Sequence, residues 1–241
     1  MKISVVVPAF NEEKLLPATL ASIRNASESF AKRNWQTEWV VCDNNSRDRT
    51  AEIARAHHFQ VVFEPVNQIG RARNTGAQAA TGDWLIFVDA DSCPTAELFE
   101  DVASAISTGR YLAGGCTVRL DGSAPVLGSI VRLWNAISRV CKYAAGSFIF
   151  CEAEAFREIG GFNLELFASE ELDLSRRLKK LARRRRKRLV ILTRHPLLTS
   201  SRKVHLYSLR EHLVFLLRTV VGFGKPLKSA EACYTWYDGR R

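Results

Sequence analysis

The 241-residue chain lacks the motifs of several common protein classes. Its six cysteines, at positions 42, 93, 116, 141, 151 and 233, include no CxxC pair, which leaves no zinc or redox motif. Several of them lie inside apolar runs, which favours buried, reduced thiols in a cytosolic protein. No GxGxxG follows the first predicted strand and no GxxxxGK[ST] is present, so a dinucleotide site and a P-loop are both disfavoured.

Long hydrophobic runs are also missing. No stretch reaches the roughly 18 to 20 apolar residues that a membrane span requires. Residues 204–224 come closest, but they are interrupted by Arg210, Glu211, His212 and Arg218. The apolar run at the N-terminus is too short for a signal peptide. We therefore predict a cytoplasmic protein that does not cross a membrane.

Acidic residues are outnumbered, because 35 Lys and Arg face 25 Asp and Glu and the net charge is +10. This charge suits a phosphorylated ligand, an anionic membrane or nucleic acid. The run RRRRKR at 183–188 and a predicted amphipathic helix at 206–221 suggest a peripheral contact with the inner membrane face. A core helix beside a solvated charge run remains an alternative. Nucleic acid is not expected, since few aromatic residues interleave with these arginines.

Hydrophobic patterning predicts alternating strands and helices in the first half of the chain. Apolar runs predict strands at 3–7, 38–42, 60–63 and 84–88, and helices are predicted between them at 14–33, 48–57 and 70–80. The second half is less regular, with predicted helices at 97–107, 126–140 and 170–182 and strands at 111–120, 147–152 and 189–193. We predict a single α/β domain with a Rossmann-like, mostly parallel central sheet flanked by helices.

Polar residues follow three of these predicted strands, where doubly wound sheets bind their ligands. The segments are PAFNEE at 8–13, DNNSRD at 43–48 and DAD at 89–91. Asp and Asn are common in turns, but three such segments at one sheet edge favour a functional site. Asp89 and Asp91 could share Mg²⁺ or Mn²⁺, which prefer carboxylate, phosphate and water oxygens.

Two further segments carry candidate charges. The arginines of GRARNTG at 70–76 could neutralise phosphates or hydrogen-bond a base, or could lie on a solvated helix face. The acids Glu170, Glu171 and Asp173 open a predicted helix, where acids commonly complement the helix dipole.

Taken in order, the strings VVVPAFNEE, CDNNSRDRT, GRARNTGA, WLIFVDADS, GGF and SEELDLSRRL resemble family 2 glycosyltransferases of GT-A fold over roughly residues 3–180. The resemblance implies an inverting transfer of a sugar from a nucleoside diphosphate donor, with uridine as the family-level base, to an unidentified hydroxyl acceptor. It also implies a Mn²⁺ or Mg²⁺ cofactor. The chain would divide into a nucleotide-sugar half at about 1–92, an acceptor and catalytic half at about 93–205 and a C-terminal helix and tail at about 206–241.

Residue roles follow from the same resemblance. Asp91 ligates the metal with help from Asp89, and Glu171 is the catalytic base beside the catalytic metal ligand Asp91. Glu171 stands where the family usually shows Asp, so Glu170 stays an alternative base. The residues that the resemblance assigns to the nucleotide sugar are Ala9, Glu12, Asp43, Arg73, Asp89, Ala90 and Arg202.

Two rival functions remain open. One is a nucleotidyltransferase acting on sugar phosphates, although such enzymes usually have a basic, glycine-rich loop after the first strand, and here that loop is acidic and glycine-free. The other is a basic nucleic-acid-binding module, which the carboxylates at the strand ends would oppose unless metal were bound.

Overall fold

A computed structural model describes residues 1–122 and 125–202 of the chain. The predicted helix at 206–221 lies outside these residues. The strands are β1 (Lys2–Ala9), β2 (Gln36–Asp43), β3 (Gln60–Phe63), β4 (Trp84–Val88), β5 (Ser92–Cys93), β6 (Tyr111–Leu120), β7 (Phe148–Glu152) and β8 (Arg188–Thr199). The helices are α1 (Leu16–Ala31), α2 (Thr50–Ala56), α3 (Ile69–Ala79), α4 (Ala96–Ser107), α5 (Pro125–Cys141), α6 (Ala153–Glu158) and α7 (Glu170–Arg184).

All eight strands form one sheet in the order β3-β2-β1-β4-β7-β6-β8-β5. Strands β3, β2, β1 and β4 are parallel to one another, as predicted for the first half. Strand β7 is antiparallel to both β4 and β6, β8 is parallel to β6, and β5 is antiparallel to β8. The predicted α/β architecture is confirmed, with a parallel first half and a mixed second half.

Helices cover the sheet on both faces, which explains why its central strands are apolar throughout. In β4 every side chain is buried, and Leu85 and Phe87 face one apolar cluster while Ile86 and Val88 face the other. Helices α1 and α4 pack on the side of Ile86, and α6 and α7 on the side of Leu85. Among the described helices, none is both long and apolar enough to span a bilayer.

The structure differs from the predicted elements in three places. Strand β5 and helix α6 were not predicted, because two and six residues are too short for a periodic signal. Strand β8 continues to Thr199, beyond its predicted end at 193. Pro196 interrupts the apolar run there, and the β6–β8 pairing shifts register between Cys116 and Val118, opposite this segment. A register shift accommodates a residue that cannot donate to the ladder, so the strand resumes at Leu197.

Candidate active site

Strands β1 and β2 end side by side, with Ala9 opposite Asp43 in the register. The loop after β1 is held to the start of α2, because the Glu12 backbone N–H donates to Thr50 Oγ1 at 2.8 Å. Asp43 is held too, since its Oδ1 accepts from the Ser46 backbone N–H at 3.1 Å. Both carboxylates are nearly buried, at 4% exposure for Glu12 and 7% for Asp43. The sheet edge thus presents two acids from adjacent loops.

The segment Asp89–Asp91 follows β4 at the same edge. The Asp89 backbone N–H donates to the Ser147 carbonyl at 3.2 Å, which links this segment to the start of β7. The Ala90 carbonyl accepts from Thr19 Oγ1 at 2.9 Å, and the Asp91 carbonyl accepts from the Ser200 backbone N–H at 3.1 Å. The backbone of this segment is therefore held by contacts from α1, from the residue before β7 and from the residue after β8.

Arg73 lies at the centre of a buried ion-pair network. Its Nη1 donates to Glu170 Oε1 at 2.6 Å, and its Nη2 donates to Asp89 Oδ1 and to the Gly146 carbonyl, both at 2.9 Å. Its guanidinium also lies 5.1 Å from the centre of the Phe162 ring. Burial alone would lower the pKa of Arg73, but the carboxylates of Asp89 and Glu170 raise it above its ordinary value.

This network bears on the predicted role of Arg73. The side chain is only 1% exposed, and its guanidinium contacts other groups of the protein. The sequence had suggested a contact with the nucleotide instead. The pairing of Arg73 with Glu170, which the sequence had suggested only as an alternative base, was not predicted, because α3 and α7 are far apart in sequence. The glycines at 70 and 76 were the available signal that one face of α3 packs closely. A Cβ added at Gly76 would lie 2.5 Å from Val6 Cγ1, so this face of α3 packs against the sheet.

The three acids at the start of α7 have separate environments. Glu170 is buried against Arg73, and Asp173 pairs with Arg177 at 2.7 Å, the intrahelical pair that its spacing allows. Glu171 is half-buried and forms no ion pair with a described residue. Burial and the charge of Glu170 raise the pKa of Glu171 to about 8. A raised pKa makes the Glu171 carboxylate a stronger base than an exposed glutamate, and the fraction that is ionised and able to accept a proton grows as the pH rises toward 8.

Arg202 reaches the same edge from the end of β8. Its Nη2 lies 2.7 Å from Glu12 Oε1 and 2.9 Å from Oε2, and 3.8 Å from Asp91 Oδ2. Burial lowers the pKa of Arg202, while the Glu12 carboxylate raises it and leaves it above its ordinary value. The buried Nε atoms of Arg202 and of Arg73 both lack a hydrogen-bond partner among residues 1–122 and 125–202.

The site contains the donor atoms that a divalent cation requires. Within the described part of the chain, no cluster of three or more His, Cys, Asp or Glu side chains could hold a metal ion. Mg²⁺ and Mn²⁺ commonly use one or two carboxylates and take their other ligands from phosphate and water. Asp89 and Asp91 meet that requirement at the end of β4, so the residues present fit such a metal.

Comparison with known proteins places the chain in a family. The model of Glycosyl transferase family 2 matches residues 4–152. The chain belongs to this family. An uncharacterised glycosyltransferase of Mycobacterium tuberculosis is 35% identical over 57% of this chain and 60% of its own length. The chain thus matches about 60% of the length of such relatives. The family resemblance noted in the sequence is confirmed.

Two solved structures have a similar fold. Staphylococcus aureus TarS in complex with UDP-GlcNAc superposes with a TM-score of 0.67 at 20% identity, covering 98% of this chain and 69% of the other. A mannosyltransferase of Pyrobaculum calidifontis in complex with GDP-Man and Mn²⁺ gives 0.66 at 22% identity, covering 97% and 69%. At this identity the likeness establishes the fold, and the predicted GT-A fold is confirmed.

Proposed function

We propose that the chain transfers a sugar from a nucleoside diphosphate donor, linked to UDP, to an acceptor hydroxyl with inversion at the anomeric carbon. The observation that carries this proposal is the meeting of Glu12, Asp43, Asp91 and Arg202 at one sheet edge, to which Arg73 ties the start of α7 by pairing with both Asp89 and Glu170. Family membership supports the reaction class, and the nucleotide sugars bound to TarS and to the Pyrobaculum enzyme support the donor class.

In this proposal Asp43, Glu12 and Ala9 hold the nucleoside beside the ends of β1 and β2. Asp91, helped by Asp89, would hold Mn²⁺ or Mg²⁺, which supplies positive charge to the diphosphate when bound. Ala90 contributes through its backbone, because its carbonyl accepts from Thr19 Oγ1 and so anchors the segment between the two acids to α1. Arg73 acts one step away from the donor, by fixing the Asp89 carboxylate.

Glu171 accepts the proton of the acceptor hydroxyl as the hydroxyl oxygen attacks the anomeric carbon. The bond from that carbon to the diphosphate breaks, and the nucleoside diphosphate leaves with the electron pair. Arg202 can exchange Glu12 for the leaving diphosphate, since guanidinium groups bind phosphate oxygens bidentately. A single displacement of this kind inverts the anomeric configuration and forms no covalent sugar intermediate.

A donor screen tests the proposal. Thermal shift with nucleoside diphosphates and their sugars, with and without Mn²⁺, should show stabilisation by one base only, since a ligand that binds the folded state raises the Tm. NMR of the transfer product should show the inverted anomer. Asp91→Ala should abolish transfer while the Tm without ligand is retained. Full transfer in excess chelator would contradict the metal requirement, and a retained anomer would contradict the single displacement.

The nucleotidyltransferase alternative is separated by its leaving group. Transfer of a sugar releases a nucleoside diphosphate, whereas transfer of a nucleotidyl group to a sugar phosphate releases pyrophosphate. We expect the nucleoside diphosphate, because the loop after β1 is acidic and glycine-free. A gel shift with and without Mn²⁺ tests the nucleic-acid alternative, for which we expect no metal-dependent complex.

A further inference from the structure

Helix α5 has one face packed against the sheet. Val131 and Trp134 contact the apolar cluster between the sheet and α1. Asn135 brackets Val118 of β6, accepting from its N–H at 3.0 Å and donating to its carbonyl at 2.9 Å. Ser138 is fully buried and donates to the Tyr143 carbonyl. These contacts determine which side of α5 faces outward.

The outward side of α5 carries a stripe of large apolar side chains. Leu133, Ile137 and Val140 are 64%, 42% and 82% exposed, and their spacing of four and three residues places them on one side of the helix. Isolated exposed apolar side chains are ordinary, but an aligned set on one helix marks an interaction surface. We call these three residues the α5 stripe.

Basic residues flank the α5 stripe. Arg132, Arg139 and Lys142 are exposed, and none of them forms an ion pair with a residue in the described ranges. Residues 122–151 contain no Asp or Glu. A groove of about 560 Å³ beside α5 is lined by Arg119, Arg132 and Arg139. The surface around the stripe is therefore positively charged.

The basic run RRRRKR at 183–188, which the sequence suggested as a membrane contact, differs from the surface of α5 because it is partly paired with acids. Arg185 pairs with Glu154 at 3.0 Å and also with Glu158, and Lys187 pairs with Glu152. Two of its six charges are thus partly neutralised by α6 and the end of β7. No apolar stripe accompanies the run, since α7 turns its leucines toward the core.

We propose that α5 lies on an anionic lipid surface, with the α5 stripe in the interface and Arg132, Arg139 and Lys142 among the headgroups. Amphipathic helices of this composition bind in that orientation. Charge favours lipid over two other possible occupants of this surface, which are residues 203–241 of the same chain and a second copy of the chain. Residues 203–241 contain seven Lys and Arg against three Asp and Glu, and a second copy of the chain would present the same basic surface.

Docking of α5 has a consequence that rests on the proposed function. The loop after α5 reaches Gly146, whose carbonyl accepts from Arg73. A Cβ placed on Gly146 would lie 3.6 Å from Glu171 Cδ, so this loop borders the candidate base. A docked α5 would hold the acceptor side of the site at the membrane surface, where a lipid-linked hydroxyl can enter.

Vesicle flotation of the full chain tests the docking without any activity measurement. Phosphatidylcholine vesicles containing phosphatidylglycerol should retain the protein at low salt, and pure phosphatidylcholine vesicles should not. The triple variant R132Q/R139Q/K142Q should bind about 100-fold more weakly, because each basic residue near an anionic leaflet contributes about a factor of five. L133S/I137S/V140S should bind at least about tenfold more weakly at unchanged charge.

R183Q/R184Q/R188Q is the matched control, because it removes three exposed charges from the other basic segment. We expect its binding to change less than about threefold, since charges held away from the surface are screened. Equal weakening of the control and of R132Q/R139Q/K142Q would overturn the proposal, as would failure of the unchanged chain to float. If L133S/I137S/V140S lowers the Tm or the oligomeric mass and leaves flotation intact, protein rather than lipid covers the stripe, and the proposal is wrong.

Discussion

Two arginines hold the two carboxylates that follow β4, and they do so in different surroundings. Arg73 joins Asp89 to Glu170 with a side chain that is 1% exposed. Arg202 joins Glu12 to the neighbourhood of Asp91 with a side chain that is 19% exposed. Each arginine thus connects one acid of the pair to an acid from another part of the chain.

The difference in burial implies a difference in role. Arg73 donates hydrogen bonds to two acids and to a carbonyl oxygen. Its side chain is buried, so the loss of either acid would leave a buried charge without full compensation. Its contacts are therefore constant features of the fold. Arg202 contacts both oxygens of one carboxylate through its Nη2, and its side chain is more open to water than that of Arg73. We infer that Arg73 sets the geometry of the site and that Arg202 changes partner when a donor binds.

Replacing Arg73 should have the largest effect on stability. Arg73→Met keeps much of the side-chain volume but leaves Asp89 and Glu170 without their shared cation. Breaking a buried pair by removing one partner typically costs about 3 to 5 kcal/mol. We expect the free energy of unfolding, measured by urea denaturation, to fall by about that amount.

The control for this variant is Arg71→Met, on the same helix. Arg71 donates to Gln68 Oε1 at 3.0 Å and is not fully buried, so its loss should cost less than about 1 kcal/mol. Similar unfolding curves for the two variants would contradict the structural role of Arg73.

The adjacent acids Glu170 and Glu171 should give opposite phenotypes. Glu171→Gln should lower turnover by about 10² to 10⁴, the usual contribution of a general base, with donor affinity near that of the unchanged protein. Glu170→Gln should chiefly lower stability, because its carboxylate is the partner of Arg73. Glu171→Asp should retain part of the turnover. A crippled Glu170→Gln beside a fully active Glu171→Gln would transfer the role of base to Glu170.

The raised pKa of Glu171 predicts a dependence on pH. Its pKa of about 8 lies above the 4.5 of an exposed glutamate, so between these values the folded chain holds a proton that the unfolded chain has released. The stability contribution of this group should therefore decline as the pH rises through that window. In urea titrations, the free energy of unfolding of Glu171→Gln should therefore fall less between pH 5 and about 9 than that of the unchanged protein. Parallel curves for the two proteins would contradict the shift.

Patterning in the sequence was sufficient for much of the fold. The strands Gln60–Phe63, Trp84–Val88 and Tyr111–Leu120 begin and end where predicted, because each is an apolar or β-branched run bounded by polar residues or turns. The continuation of β8 past Pro196 could not be predicted, since it depends on pairing with β6.

The candidate site was likewise predicted only in part from the sequence. Carboxylates at strand ends are visible in the sequence, because a strand end is a local feature. The pairing of Arg73 with Glu170 spans 97 positions and requires α3 and α7 to meet over the sheet. No local pattern determines such a crossing, so the sequence indicated that Arg73 belongs to the site and left its contacts undetermined. The outward stripe of α5 has the same origin, since periodicity marks two sides of a helix and only packing decides which one is covered.

Replacing Arg202 should have the smallest effect on stability and a distinctive effect on ligands. The pair with Glu12 is partly open to water, so Arg202→Ala should cost less stability than Arg73→Met. The Arg202 guanidinium lies 3.8 Å from Asp91, so its removal should strengthen the binding of Mn²⁺ in the absence of nucleotide by about fivefold, which is the equivalent of a weak ion pair of about 1 kcal/mol. Donor affinity should fall in the presence of Mn²⁺, because the guanidinium no longer contacts the diphosphate. Arg202→Lys separates the effect of charge from that of geometry. It should return the Mn²⁺ affinity to the lower value of the unchanged protein, because the positive charge is kept. It should not return the donor affinity, since an ammonium cannot bind two oxygens in a planar fork. Calorimetric titration of each protein with Mn²⁺, and then with the donor, measures both quantities. If Arg202→Ala binds Mn²⁺ and donor as the unchanged protein does, Arg202 has no exchangeable role and resembles Arg73 in function as well as in its choice of partners.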